Sequence, residues 1–325
     1  MEGLSYDSPS LFFYFGFAIP IAGTLSADVH DLKIMLSGFA LRTRFMDFDP
    51  ASLFPYLPIV ERKPVVWPHQ ARVAVWIVPN IEHFHLERGP NAPDVRNYSR
   101  RDYGNRVGVW RMMECLEQHG FRGSVALNAE VAEHYPRIME ECAKLKWELM
   151  GHGLTNSTPL SGMDIETERA TIAATRRAIE DQGQKMRGWL GPGLTETWNT
   201  LGLLKEHGVD YVADWVSDDL PFRMNNGLYS IPYTLELNDM PLFNMPSIST
   251  QDFERRICET FDVLYDEGAR LPRVMCIALH PFLTGVPHRI RALGRALAYI
   301  GGHDQVWRAT GSEIIDAYKA SPGAE

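Results

Sequence analysis

Cysteine is scarce in this chain: four in 325 residues, at positions 115, 142, 258 and 276, with no C-x-x-C pair. Spread this widely, they make neither a disulfide framework nor a zinc–thiolate cluster. Cys115, Cys142 and Cys258 fall on predicted helices and Cys276 in an apolar strand. They read as free, buried thiols, which points to a reducing, cytoplasmic setting. Basic runs are missing too. Lys and Arg total 32 against 41 Asp and Glu, a net charge of -9, and nothing resembles the basic face of a nucleic-acid binder. A GxSxG elbow, a P-loop and a GxGxxG after the first strand are all absent. Serine-nucleophile, nucleotide and nicotinamide chemistries therefore lack their motifs. One long apolar run occurs, Leu11 to Leu25. Pro20 interrupts it, it is short for a membrane span, and Glu2 and Asp7 precede it where a secretory signal carries positive charge. Residues 1–45 read as an N-terminal extension outside the core, and 46–325 as a single catalytic domain with no membrane association.

What the chain does have is a regular alternation beginning at Arg72. Arg72–Pro79 is a continuous apolar strand of the kind buried on both faces of a parallel sheet. Predicted strands follow at 123–127, 147–150, 187–190, 211–214, 274–279 and 305–308, with extended pieces around 229–235. Predicted helices lie at 103–119, 135–146, 164–181, 195–207, 250–267, 287–300 and 312–320. Strands separated by helices build right-handed βαβ units and a mainly parallel sheet. About seven such units predict an α/β fold close to a closed (β/α) barrel.

In such a barrel the chemistry sits just after each strand. The first strand is followed by Asn80, Glu82, His83 and His85. Trp147–Met150 is followed by Gly151-His152-Gly153, then Thr155 and Asn156. Next come Gly191-Pro192-Gly193, then Asp214 and Trp215 ahead of Asp218 and Asp219, and finally His280 after Val274–Leu279. Taken singly, each has a structural reading: a solvated loop carboxylate, a backbone-bonded core His, a bonded Asp–Trp pair, a turn at Asp218-Asp219. Acidic and imidazole groups at the same end of strand after strand favour a shared site. His83 and His85 lie on an extended piece, and one of the two is expected to face away. A carboxylate with two imidazoles suits hydrolysis, the carboxylate taking a proton from water. Glu82 follows an apolar strand beside Pro79 and Phe84, so desolvation is expected to raise its pKa, with activity rising through the acidic range.

The segments Tyr103-Gly-Asn-Arg-Val-Gly-Val-Trp-Arg111, His152-Gly, Gly188-Trp189, Asp218-Asp-Leu-Pro221, Ile231-Pro-Tyr-Thr-Leu235 with Asn238-Asp-Met240, Phe261-Asp-Val-Leu-Tyr-Asp-Glu-Gly268, Leu279-His280 and Asp304-Gln-Val-Trp307 occur in one order over roughly residues 50–320. In them the chain resembles the polysaccharide deacetylase superfamily, and within it the branch of metal-independent allantoinases and cyclic-imide hydrolases. The resemblance implies an irregular (β/α) barrel, and for acidic barrels of this branch it implies a homo-oligomer. Deacetylases of the superfamily hold a divalent metal with an Asp after the first strand and an HxxxH pair. Here those places read Asn80-Ile-Glu82 and, for the second His, Asn156. The allantoinases carry a further Glu where this chain has His83, and an Arg in the stretch that here reads Gly191-Pro-Gly-Leu-Thr195.

These residues predict a hydrolase of a non-peptide carbon–nitrogen bond in a small cyclic amide, imide or ureide. Glu82 would be the base, His152 would orient the carbonyl or stabilise the oxyanion, and His280 would be the acid. Asn80, His83, Asn156, Pro192, Asp214 and Trp215 would line the substrate. No cofactor is favoured. The rival readings are a zinc-type metal deacetylase of N-acetylated sugars, with Glu82 and His152 as ligands, and a non-catalytic small-molecule binder. The expected partner is a small-molecule substrate.

Overall fold

The first strand, β1 (Val73–Ile81), is buried along its whole length in the computed structural model of the protein, which describes residues 50–87, 92–244 and 248–324. The extension expected over residues 1–45 lies outside the described residues. On one edge, β1 runs parallel to β8 (Arg273–Leu279), in register from Val73 opposite Arg273 to Pro79 opposite Leu279. Its other edge is shared. β9 (Val306–Ala309) pairs with its first half, and β2 (Ser124–Leu127) with its last residues. From β2 the sheet continues in parallel through β3 (Glu148–Gly151), β4 (Gly188–Trp189), β5 (Tyr211–Val212) and β7 (Tyr229–Ser230), and β6 (Phe222–Arg223) lies antiparallel on β7. The far edge of β8 meets irregular chain: Val274 N–H donates to the Asp219 carbonyl at 2.9 Å and Ala278 N–H to that of Leu237 at 3.1 Å. The sheet thus curls into the irregular (β/α) barrel expected from the strand–helix count.

Helices cover the outside: α1 (Val95–Tyr103), α2 (Val109–Gln118), α3 (Ala129–His134), α4 (Pro136–Lys144), α5 (Ile165–Glu180), α6 (Thr200–Glu206), α7 (Asp239–Asn244), α8 (Thr250–Glu267), α9 (Pro287–Gly301) and α10 (Gly311–Ala320). The span of α8 is the one expected, and a reciprocal Ser249–Asp252 cap fixes its start. The helix expected over 103–119 differs. It begins earlier, as α1, and passes into α2 through a wide π-type turn at Gly104–Gly108. The cause is close packing: a Cβ on Gly108 would stand 2.0 Å from the Pro281 carbonyl oxygen, and one on Gly104 2.8 Å from the Phe282 backbone nitrogen. Such turns often mark functional positions.

Alternation along the long strands sorts the core into two layers. Val73, Val75 and Ile77 join the helix-facing cluster with Met112, Leu116, Leu293 and Leu297. Ala74, Trp76 and Val78 join the barrel interior with Met150, Leu190, Tyr211 and Tyr233. β8 divides in the same way, Met275 and Ile277 outward, Cys276 and Ala278 inward. Each large side chain buried in these layers is worth about 1.5–3 kcal/mol of apolar transfer. Cys115, Cys142 and Cys276 are buried free thiols and Cys258 is a half-buried one. Among the described residues no helix is long and apolar enough to cross a membrane.

Candidate active site

The inward series of β1, residues 74, 76 and 78, continues into Asn80 and Glu82. That of β8 continues into His280, and Met150 on β3 is followed two residues later by His152. One parity rule therefore lifts a carboxylate and two imidazoles to the same rim. Glu82 Oε1 stands 3.5 Å from His152 Nε2 and 3.6 Å from His280 Nε2, and all three side chains are buried. The two glycines around His152 have separate tasks. A Cβ on Gly151 would come within 2.5 Å of the Trp189 ring, and Gly153 turns the chain at a φ of +69° against Pro192. Pro192, expected to line the substrate, thus packs on the turn that carries His152.

Each imidazole is held from behind. His152 Nδ1 donates to the Leu190 carbonyl at 2.6 Å, so its Nε2, in the neutral ring, is an acceptor. That Nε2 has no hydrogen-bond partner among the described residues, and neither does Glu82 Oε2. His280 Nδ1 lies 2.6 Å from Asp239 Oδ1. The other oxygen of Asp239 accepts from the His280 backbone N–H at 2.9 Å and from the Thr284 hydroxyl at 2.5 Å. Asp239, fully buried at the start of α7, was not singled out from the sequence, although it stands inside the Asn238-Asp-Met240 segment. Arg101 was also missed. Its Nη1 is 3.6 Å from Glu82 Oε2, and its guanidinium lies over the rings of Phe84 and Phe282, at 3.7 and 4.8 Å from their centroids. Asn105, in the π-type turn, ties that helix to the site by donating to the Glu82 carbonyl at 2.8 Å.

Burial pushes the Glu82 carboxyl up, the expected direction. The charge on His280 and the close approach of both imidazoles outweigh it and hold the group down at about 2. The expectation of a raised Glu82 pKa is therefore overturned: desolvation is real, but the charge of His280 and the hydrogen bonds from the imidazoles outweigh it. At His280 burial favours the neutral ring, yet the carboxylates of Glu82 and Asp239 carry it up to about 9. Around neutrality the centre holds a carboxylate beside an imidazolium.

The remaining candidates divide. Asn156 belongs to the site, its amide donating to Glu82 Oε1. Asn80 lies one layer below, bonding to Val78 O, Leu279 O and the Tyr233 hydroxyl. His83 does not join. Residues two apart in extended chain share a side, so His83 and His85 turn the same way, both towards Glu130. The expectation that the two would part is corrected by that pleat. Asp214 and Trp215 form a second group: Asp214 accepts from Gly191 N–H at 2.7 Å, and Trp215 Nε1 donates to Glu196 at 3.1 Å. Asp218 pairs with Arg62 at 2.5 Å, and the Asp219 carbonyl accepts from β8, so both serve the barrel edge.

A deacetylase-type metal would need residues 82, 152 and 156 as ligands. The His83 backbone N–H donates to Asn128 Oδ1 at 2.9 Å, which leaves Asn128 Nδ2 to donate to Asn156 Oδ1 at 3.1 Å. Asn156 must then present N–H, not oxygen, to Glu82. A donor aimed at the carboxylate does not fit a cation held between them, so Glu82 and His152 lack a third ligand at that position.

A polysaccharide deacetylase family model matches residues 98–212. A Schizosaccharomyces pombe protein named "Putative polysaccharide deacetylase" is 29% identical over 297 residues, covering 78% of this chain and 92% of that one. Among solved structures, Puue allantoinase is 27% identical with a TM-score of 0.76, over 84% of this chain and 99% of that one. A "probable Polysaccharide deacetylase" from Pseudomonas aeruginosa PAO1 is 27% identical with a TM-score of 0.75, over 83% and 99%. The barrel, the rim residues and these likenesses together support placing the chain in the polysaccharide deacetylase superfamily.

Proposed function

We propose that the protein hydrolyses a carbon–nitrogen bond other than a peptide bond, in a small cyclic amide, imide or ureide. The observation that carries this reading is the line Asp239–His280–Glu82, which sets an imidazolium against a carboxylate in a buried site. Water bound between Glu82 and His152 Nε2 gives a proton to Glu82 as its oxygen attacks the carbonyl carbon. His280 then passes its Nε2 proton to the leaving nitrogen as the carbon–nitrogen bond breaks, and Asp239 holds the ring in place. A carboxyl at about 2 is a weak base on its own. The same positive charge that depresses it leaves when His280 donates, so the two transfers assist each other. Arg101 presents a permanent cation to the carbonyl oxygen or to an acidic group of the substrate. It restores, from α1, the guanidinium missing from Gly191–Thr195. Likeness to Puue allantoinase supports a ureide or imide over a polysaccharide.

The test is a turnover screen of hydantoins, succinimides, allantoin and acetylated amines, with wild type and Glu82→Gln. Ring opening of one cyclic class by wild type alone is the expected result. Turnover confined to acetylated sugars, or equal turnover by Glu82→Gln, would overturn the reading. Binding without turnover across the whole panel would mark a non-catalytic binder.

A further inference from the structure

His83, His85 and Glu130 form a cluster of ligand-type side chains that the catalytic reading leaves unused, their ligating atoms all within 4.8 Å of one another. His85 Nε2 is 2.7 Å from Glu130 Oε2, and His83 Nε2 is 3.7 Å from it. The two imidazoles sit on fixed backbone. His83 N–H donates to Asn128 and its carbonyl accepts from Asn156 N–H at 3.1 Å and the Thr155 hydroxyl at 2.8 Å, while His85 N–H donates to Ser157 at 2.8 Å. The Tyr135 hydroxyl lies 3.4 Å from His83 Nδ1, leaving Nε2 as the atom facing Glu130. Partners of this kind, behind the ligating atom, fix ring orientation in metal sites. The side chains are between 12% and 32% exposed, so an ion has access.

We propose that His83 Nε2, His85 Nε2 and Glu130 Oε2 bind a divalent cation of the zinc class, clipping the loop after β1 to α3. Two imidazoles and one carboxylate are a zinc-type donor set that leaves a fourth position to water. Tetrahedral zinc at ordinary bond lengths holds its ligand atoms about 3.3 Å apart. The His85–Glu130 contact would open slightly on binding and the His83–Glu130 contact would close. The site is distinct from the deacetylase-type position, because the pleat turns residues 83 and 85 to the side opposite Glu82.

Zinc and cobalt(II) are titrated by calorimetry into the full chain, free of any histidine tag, and the cobalt complex is read by its visible absorption. The expected result is one saturable site with a tetrahedral cobalt band, weakened about 100-fold or more by His85→Ala and by Glu130→Gln. His152→Ala should bind as wild type does, and zinc should raise the melting temperature of wild type but not of His85→Ala. Absence of saturable binding to wild type overturns the proposal. Binding untouched by both cluster variants, or lost in His152→Ala instead, overturns it too, since the ion then sits elsewhere.

Discussion

Two carboxyl groups on the same barrel are both pressed upward by burial and end in different protonation states. Glu82 is held down at about 2. Glu196 is pushed up to about 7 by burial and by the charge of Glu168, against the hydrogen bonds from Asp214 and Trp215. Its partner Asp214 is raised well above the carboxylate range by burial and by the charge on Glu196, so the pair gives up its first proton only near neutrality and keeps the second beyond it. The difference lies in the company each keeps: imidazoles and Arg101 at the first site, two further acids and Trp215 at the other. Glu196, Trp198 and Trp215 line a cavity of about 720 Å³, whereas Glu82 sits beneath Arg101 and its two phenylalanines. Neighbours, not depth, decide which acid is ionised.

The largest expected effect falls on the ionised one. Glu82→Gln should lower turnover of the screened substrate by about 10²–10⁴-fold while melting near wild type, since the amide oxygen can still accept from Asn156. A melting temperature far below wild type would make Glu82 a structural residue. Asp239→Asn comes next, with a loss of about 10–100-fold that identifies it as a positioning residue through its pH profile. His280 is carried up to about 9 by Glu82 and Asp239. Activity that needs the imidazolium should therefore be level through neutrality and fall as pH passes about 9. The stability contributed by that ring is complete below its ordinary value of 6.5 and lost through the same region. Removing the Asp239 charge should move the basic limb to lower pH, and a limb that stays in place would separate His280 from the chemistry. With Glu82 at about 2, the acidic limb expected from a raised carboxyl should not be seen above roughly pH 4. Arg101→Leu should act more mildly, raising KM about tenfold with a smaller change in kcat; the reverse pattern would place the guanidinium in the transition state rather than in binding.

Much of this was legible in the sequence. The apolar strands, the span of α8 and the three rim residues Glu82, His152 and His280 follow from period and strand-end position alone. The two-residue pleat was legible as well: counting 74, 76, 78, 80, 82 separates Glu82 from His83 and puts His83 with His85. The rest depends on contacts between distant segments. Asp239 lies 41 residues before His280 and reaches it only because the Leu237 carbonyl docks on β8. Arg101 reaches the site because Gly104 and Gly108 let α1 and α2 pack on the backbone of Pro281 and Phe282. The sign of the Glu82 shift needed the distance to His280, which no strand pattern supplies.

The smallest effect concerns the other acid and tests the comparison where it is least obvious. Glu196 is raised to about 7 in the fold from an ordinary 4.5. Between those values the folded state binds more protons than the unfolded chain, so stability falls as pH rises through that window. Gln at position 196 stays neutral at every pH and its carbonyl can still accept from Asp214, which keeps its bond from Gly191 N–H. Glu196→Gln should therefore melt close to wild type at pH 5 and above it at pH 8. Glu196 is half-buried, and solvent screening reduces the effect to a gain of about 2–4 °C. Melting curves at the two pH values decide the matter. A difference that is the same at both, or a variant that is less stable at pH 8, would mean that the two carboxyls do not share a proton and that Glu196 is ionised like Glu82.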